Sequence, residues 1–128
     1  MTLIRKSLTI GLFALVISVG LAGCAPGWDK SSFTLEDHLT NPDDVVTSNE
    51  KDETKTLCSG LGGCLEGWTT DQGDYFRFES NAEAERFAST LDDAYQNNRV
   101  VIDFGRAQPD DEVKDLLIEG VEGIHSST

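Results

Sequence analysis

Cys58 and Cys64 are the pair in this chain whose spacing speaks most directly of chemistry. They enclose Ser59-Gly60-Leu61-Gly62-Gly63, and the glycines permit the positive φ angles that so tight a ring requires. In an oxidising compartment the pair closes as a disulfide, contributing roughly 2 kcal/mol to stability in the chain-entropy model. A redox pair is the weaker reading, because five residues intervene and neither His nor Lys adjoins the cysteines. Trp68, Tyr75 and Arg77 form a second set, of residue types enriched at protein interfaces. On the outer face of a hairpin they would make a binding face for a small ligand or glycan. The competing arrangement puts Trp68 beneath a helix and pairs Arg77 with a nearby acid.

Nucleophilic catalysis asks for a nucleophile and a base held by a third group. The candidate bases are His38, in a polar stretch, and His125, among the last four residues, where fraying is expected. No Gly-x-Ser-x-Gly elbow occurs. Glu66, Asp71, Asp74 and Glu79 crowd together in sequence, but 23 acidic residues in 128 make chance pairs common. A domain of about 70 residues also has little room for the cleft in which paired carboxylates hydrolyse a glycoside. These acids read as a solvated face. Asp103 interrupts an apolar run near its end and reads as solvent-facing or as a cap on the next turn. Neither Asp71-Gln72-Gly73-Asp74 nor Asp110-Asp111-Glu112 has calcium-loop spacing, and the cysteines and histidines are too scattered for zinc. These residues predict no enzyme, no metal and no cofactor.

The elements that position them are legible from about Thr56 onward. Residues 65–70 and 74–79 are rich in aromatic and β-branched types, and Asp71-Gln72-Gly73 between them suits a hairpin with a bulge. Alternation sends Phe76 and Phe78 one way, toward the core, and Tyr75 and Arg77 the other. Ser80-Asn81-Ala82-Glu83 is a capping box, predicting a helix over 81–96 with Ala84, Phe87, Ala88, Leu91 and Tyr95 as its apolar stripe. Asn97-Asn98 ends it. Val100-Val101-Ile102-Asp103-Phe104 is a strand stopped by Gly105, with Val100, Ile102 and Phe104 on one face. Pro109 and three acids open a last helix, whose stripe is Val113, Leu116, Leu117, Gly120, Val121 and Ile124. Residues 56–128 are thus expected to be a small α+β domain: a three- or four-stranded, largely antiparallel sheet with two helices on one face, in the order ββαβα.

What precedes Thr56 is of another character. From Ala25 to Lys55 the chain is polar and acidic, broken by Pro26, Gly27 and Pro42, and residues 24–55 read as a flexible tether. Two pieces carry local signals. Thr34-Leu35-Glu36-Asp37 resembles a helix start, and Asn41-Pro42-Asp43-Asp44 has the cap, proline and acids of another, which would let Leu35, Leu39, Val45 and Val46 dock on the domain. Farther upstream, Arg5 and Lys6 precede an uncharged run, Leu8 to Leu21, of 14 residues. That is short of the roughly 20 needed to cross a bilayer and has the pattern of a secretory signal.

The run ends in Leu21-Ala22-Gly23-Cys24, which resembles the lipobox of bacterial lipoproteins. The resemblance implies that residues 1–23 are a signal peptide removed before Cys24, whose thiol is joined to diacylglycerol, with acylation of the new amino terminus by a fatty acid such as palmitate. It implies a cell-membrane location on the extracytoplasmic face, with the bilayer as the partner of acylated Cys24. In an envelope with two membranes, Ala25 after the cysteine implies sorting to the outer one. The segment Cys64-Leu65-Glu66-Gly67-Trp68-Thr69-Thr70-Asp71-Gln72-Gly73-Asp74-Tyr75-Phe76-Arg77-Phe78-Glu79-Ser80 and the helix and strand after it, about 45 of the 128 residues, resemble small actinobacterial lipoproteins. That likeness implies a kind of exported domain and no activity.

Charge narrows the partners. All 23 acidic residues follow Cys24, whereas Arg5 and Lys6 of the 10 basic ones precede it, leaving 23 acids against 8 bases, a formal charge of −15, from Cys24 onward. Nucleic-acid binding needs clustered Lys and Arg, so nucleic acid is not an expected partner. Anionic headgroups repel such a domain, which therefore stands off the membrane on its tether. The expectation is a non-catalytic accessory module that contacts another envelope protein.

Overall fold

Tyr75 and Phe76 are sequence neighbours in an extended segment, and both are buried, so the sheet that holds them must be covered on both sides. The computed structural model describes residues 33–43 and 46–126, with side chains through residue 124. Residues 1–23, expected to be a signal peptide, Cys24, Trp28 and the start of the expected tether, Val45 and the His125 side chain lie outside the described residues. The elements are α1 (Leu35–Thr40), β1 (Lys51–Asp52), α2 (Thr54–Leu57), β2 (Cys64–Thr69), β3 (Asp74–Phe78), α3 (Asn81–Ala88), β4 (Ala94–Asn97), β5 (Val100–Asp103) and α4 (Asp111–Ser126). The strands form one antiparallel sheet in the order β1-β2-β3-β5-β4. The α+β class is as expected, but the sheet has five strands instead of three or four, and the order is not ββαβα.

The covering helices lie on both faces, not on one. Trp68, Tyr75, Ile102 and Tyr95 face one another in register across four strands. With Val100, Phe104, Leu35, Leu39, Leu117 and Val121 they make the first core, under α1 and α4. Phe76, Phe78 and Val101 point the other way and pack with Ala84, Phe87, Leu57 and Leu61 under α2 and α3. Phe76 and Phe78 are core as expected; Tyr75, which alternation sends to the opposite face, is core as well, because that face is covered too. A sheet buried on both faces needs apolar residues at successive positions, which is what Val100-Val101-Ile102 supplies.

Three local expectations change. The predicted helix over 81–96 stops at Ala88. The Ser89 and Thr90 hydroxyls donate to the carbonyls of Arg86 (2.6 Å) and Phe87 (2.7 Å), an alternative to helix continuation, and the chain turns back as β4. Leu91 and Tyr95, placed on one stripe, pack into opposite cores. Asn97 pairs with Val100 across the two-residue link Asn98-Arg99, where Asn98 has a φ of 51°, a conformation asparagine tolerates in hairpin turns. The irregularity expected at the β2–β3 turn is instead inside β2, between Cys64 and Glu66, and leaves Leu65 exposed. The turn itself closes through Thr70, whose hydroxyl donates to the Gly73 carbonyl (2.8 Å) and accepts from the Gly73 N–H (3.1 Å).

In α4 the cap is Asp110, whose carboxylate accepts from the Val113 N–H (3.0 Å), with Pro109 just ahead of it. Val113, Leu117, Ile118, Val121 and Ile124 face the sheet, while Leu116, assigned to the stripe, is exposed. Ordered structure also begins well before Thr56. Thr34 caps α1 by accepting from the Asp37 N–H, and Leu35 and Leu39 are 0% and 2% exposed, so the sequence signal for a docked helix there corresponds to a core element. Among the described residues of the second signal no helix is found. Asn41 Oδ1 accepts from the Asp43 N–H (3.1 Å) in a turn, and Val46 is exposed.

Candidate functional site

Trp68, Tyr75 and Arg77, the candidate binding face, do share a face, and it is covered. Register sets Trp68 opposite Tyr75 and Glu66 opposite Arg77 on adjacent strands. α1 lies across β2 and β3 at this point, and α4 lies beyond it. Trp68 is 8% exposed and Tyr75 1%, so neither offers a surface to a ligand. The arrangement that buries Trp68 and pairs Arg77 is the one found.

The polar end of the face is built on Glu66. Its Oε2 accepts from Arg77 Nε and from the backbone N–H of Leu35 (3.0 Å), the first residue of α1. The Arg77 and Glu66 side chains are only 11% and 16% exposed, so each depends on the other for its charge. One carboxylate thus joins the cation of β3 to the amino-terminal end of α1, where backbone N–H groups lack helical partners. At the apolar end, the His38 ring stands 6.2 Å from that of Tyr75 and also 6.2 Å from that of Phe33. Burial pushes the Tyr75 phenol far above its ordinary value of 10.0. The indole N–H of Trp68 is buried and meets no acceptor among the described residues.

Asp74, Asp71 and Asp103 each have a structural partner. Asp74 is gripped by Arg106, Nη2 at 2.7 Å and Nε at 3.0 Å from Oδ1, and the same Nη2 donates to the Thr70 carbonyl. This clamp ties the β2–β3 turn to the segment after β5, and sequence offered no sign of it. Asp71 accepts from Ser48 Oγ (3.0 Å) and Asn49 Nδ2 (2.6 Å), holding the approach to β1 against the hairpin tip. Asp103 caps the turn after β5 by accepting from the Gly105 N–H (2.8 Å), and Glu79 is exposed. Among the described residues no group of three or more His, Cys, Asp or Glu could hold a metal ion.

Cys58 and Cys64 lie at disulfide distance, sulfurs 2.06 Å apart and Cα atoms 5.3 Å apart, joining the end of α2 to the start of β2. Gly60 and Gly63 between them adopt φ of 75° and 73°, the use foreseen for glycine in this ring. Among the described residues no helix is long and apolar enough to cross a membrane. The side chains brought together here can organise a core and hold α1. Comparison with known protein families, curated proteins and solved structures finds no match to this chain.

Proposed function

We propose that this chain is a lipid-anchored extracytoplasmic module of the cell envelope, non-catalytic, that acts by contacting another envelope protein. The observation that carries the reading is the run Leu21-Ala22-Gly23-Cys24 at the end of an uncharged segment preceded by Arg5 and Lys6. Cys24 is the acylated residue, and the bilayer is its partner. A cysteine pair at disulfide distance suits an exported chain. The engagement of Glu66, Asp74 and Asp103 in structural hydrogen bonds fits a module that works by contact. A ligand face at Trp68, Tyr75 and Arg77 has no comparable support, because all three are covered.

The test of the anchor is Cys24→Ser in a lipoprotein-processing bacterium. Radiolabelled palmitate should no longer be incorporated and uncut precursor should accumulate; unchanged labelling would refute the anchor. The test of the role is affinity capture from detergent-solubilised membranes with the acylated chain as bait. The same envelope protein should return in repeated captures, and none should return with an unrelated lipoprotein of equal charge.

A further inference from the structure

An open sheet ends in two strands with unpaired backbone groups, and the two ends of this one are built differently. At one end β1 consists of Lys51 and Asp52, both exposed and opposite in charge. Asn49 ahead of it has a φ of 54°, and Asp52 Oδ1 accepts from the Thr54 N–H (2.9 Å), turning the chain away into α2. At the other end β4, Ala94–Asn97, carries no charge, proline or glycine. Its phase against β5 is fixed by the Phe104 N–H, which donates to the Asp93 carbonyl (2.9 Å). Bonded pairs alternate along an antiparallel ladder, so Tyr95 and Asn97 direct their backbone groups at Ile102 and Val100, while Ala94 and Gln96 direct theirs away from the sheet. Among the described residues no hydrogen bond takes up the outward N–H and C=O groups of Ala94 and Gln96.

The flank of α4 beside this edge is acidic. Asp111, Asp115, Ile118 and Glu122 recur at helical spacing and form one stripe. Two contacts orient it: Ile118 packs against the first core, and the Glu122 carboxylate accepts from the Tyr95 hydroxyl (2.9 Å), which sets it over β4. The opposite flank of α4 faces α1, where a Cβ at Gly120 would lie 3.7 Å from His38 Cε1. Lys114, the only Lys or Arg of α4, is held by Asp93 (2.6 Å), whereas Asp111, Asp115 and Glu122 are exposed. Side chains alternate along a strand, so one laid beside β4 would turn every second residue toward this stripe. A second copy of this chain would bring Glu122 and Asp115 against their own equivalents, which like-charge repulsion opposes. A basic segment meets no such barrier.

We propose that β4 is a docking edge for an extended segment of a partner protein with Lys or Arg at alternate positions: the segment pairs with the backbone of Ala94 and Gln96 as a sixth strand, and its cations meet Asp111, Asp115 and Glu122. This deepens the reading of the chain as a module that contacts another envelope protein, and rests on it. Backbone pairing supplies affinity, and the acidic stripe selects the partner. The paired length ends at Asn98, which turns the chain at a φ of 51° and whose carbonyl already accepts from Gln96 Nε2 (2.6 Å).

The test uses the full-length chain in detergent micelles and, as probe, a short acetylated and amidated peptide alternating lysine and valine. Saturating peptide should slow hydrogen exchange at the Ala94 and Gln96 amides at least about 10-fold. Unchanged exchange at both would overturn the proposal. Of two further peptides, N-methylated at every valine or at every lysine, the one that loses the donors facing β4 should bind at least about 10-fold more weakly; equal affinity of both with the parent would overturn the pairing. A peptide with glutamate in place of lysine should bind at least about 10-fold more weakly as well, and undiminished binding would overturn the role of the stripe. On the protein side, Gln96→Pro removes an N–H that β5 does not use. It should abolish peptide binding while the Tyr95 and Ile102 amides stay protected, and retained affinity would overturn the edge. Should Gln96→Pro loosen β4, the N-methylated peptides test the same bonds on the unaltered chain. Protection of Ala94 and Gln96 that rises with protein concentration in the absence of peptide would make the occupant a second copy and overturn the basic segment. In capture from membranes, a partner lost with Gln96→Pro supports the edge, and a partner retained overturns it while leaving the contact role in place. Peptide bound at β4 with no protein captured would uphold the edge and refute the contact role.

Discussion

At Gly67 the fold admits nothing larger than a hydrogen atom. A Cβ built there would lie 2.6 Å from the Leu57 Cβ, because α2 crosses β2 closely enough for the Glu53 N–H to reach the Gly67 carbonyl (2.9 Å) and the Gly67 N–H to reach Thr54 Oγ1 (3.1 Å). Gly67→Ala should therefore force α2 off the strand and destabilise the protein by about 1–3 kcal/mol, read as a lower urea midpoint at unchanged slope. Tyr75 makes a prediction with a defined sign. Its phenol ionises far above 10.0 in the folded state because burial opposes the phenolate, whereas the unfolded chain has the ordinary value. The stability this confers is complete below about pH 10 and is lost as pH rises beyond that through the folded value. Tyrosinate absorbance from Tyr75 should thus appear only together with loss of far-ultraviolet circular dichroism, and Tyr75→Phe should postpone alkaline unfolding. Reversible ionisation of both tyrosines near pH 10 in an intact fold would contradict the burial.

Helix ends show how far local sequence reaches at the scale of elements. Ser80 caps α3 by accepting from the Glu83 N–H (3.2 Å), and its hydroxyl donates to the Glu83 carboxylate (3.2 Å), a reciprocal motif visible in Ser80-Asn81-Ala82-Glu83. That carboxylate occupies the space a side chain at Gly63 would need, so the cap also rests on the ring between the cysteines. Ser80→Ala should cost about 1 kcal/mol, measured by denaturant unfolding, and should raise amide exchange in the first turn of α3 more than elsewhere. The other end of α3 was not legible. Leu91 and Tyr95 continue a helical period by coincidence; the pairing of β4 with β5 carries Tyr95 into the first core, while Leu91, ahead of β4, packs in the second. The Thr34 cap of α1 was legible, with Leu35 and Leu39 four residues apart, but nothing in an acidic stretch announced the Glu66 carboxylate waiting 31 residues downstream.

For the whole molecule, the cysteine pair ties α2 to β2 on one side of the sheet, while α1 and α4 close the other. Reducing it should lower stability by roughly 2 kcal/mol, the loop-closure entropy of a short ring, and thiol mass analysis should find Cys58 and Cys64 joined before reduction. Two free thiols in exported protein would remove the staple. The sequence by itself determined what rests on near neighbours: the α+β class, the β2–β3 pairing, the caps Thr34 and Ser80, and the cysteine pair. Each is a pattern within a few residues, where spacing and backbone preference act without help. The tertiary structure alone decided that both faces of the sheet are buried, that β4 exists, that Arg106 clamps Asp74, and that Trp68 and Tyr75 lie under α1. Those outcomes depend on which distant segment fills an apolar face or meets a buried charge, a choice made among many chain arrangements by burial and pairing together.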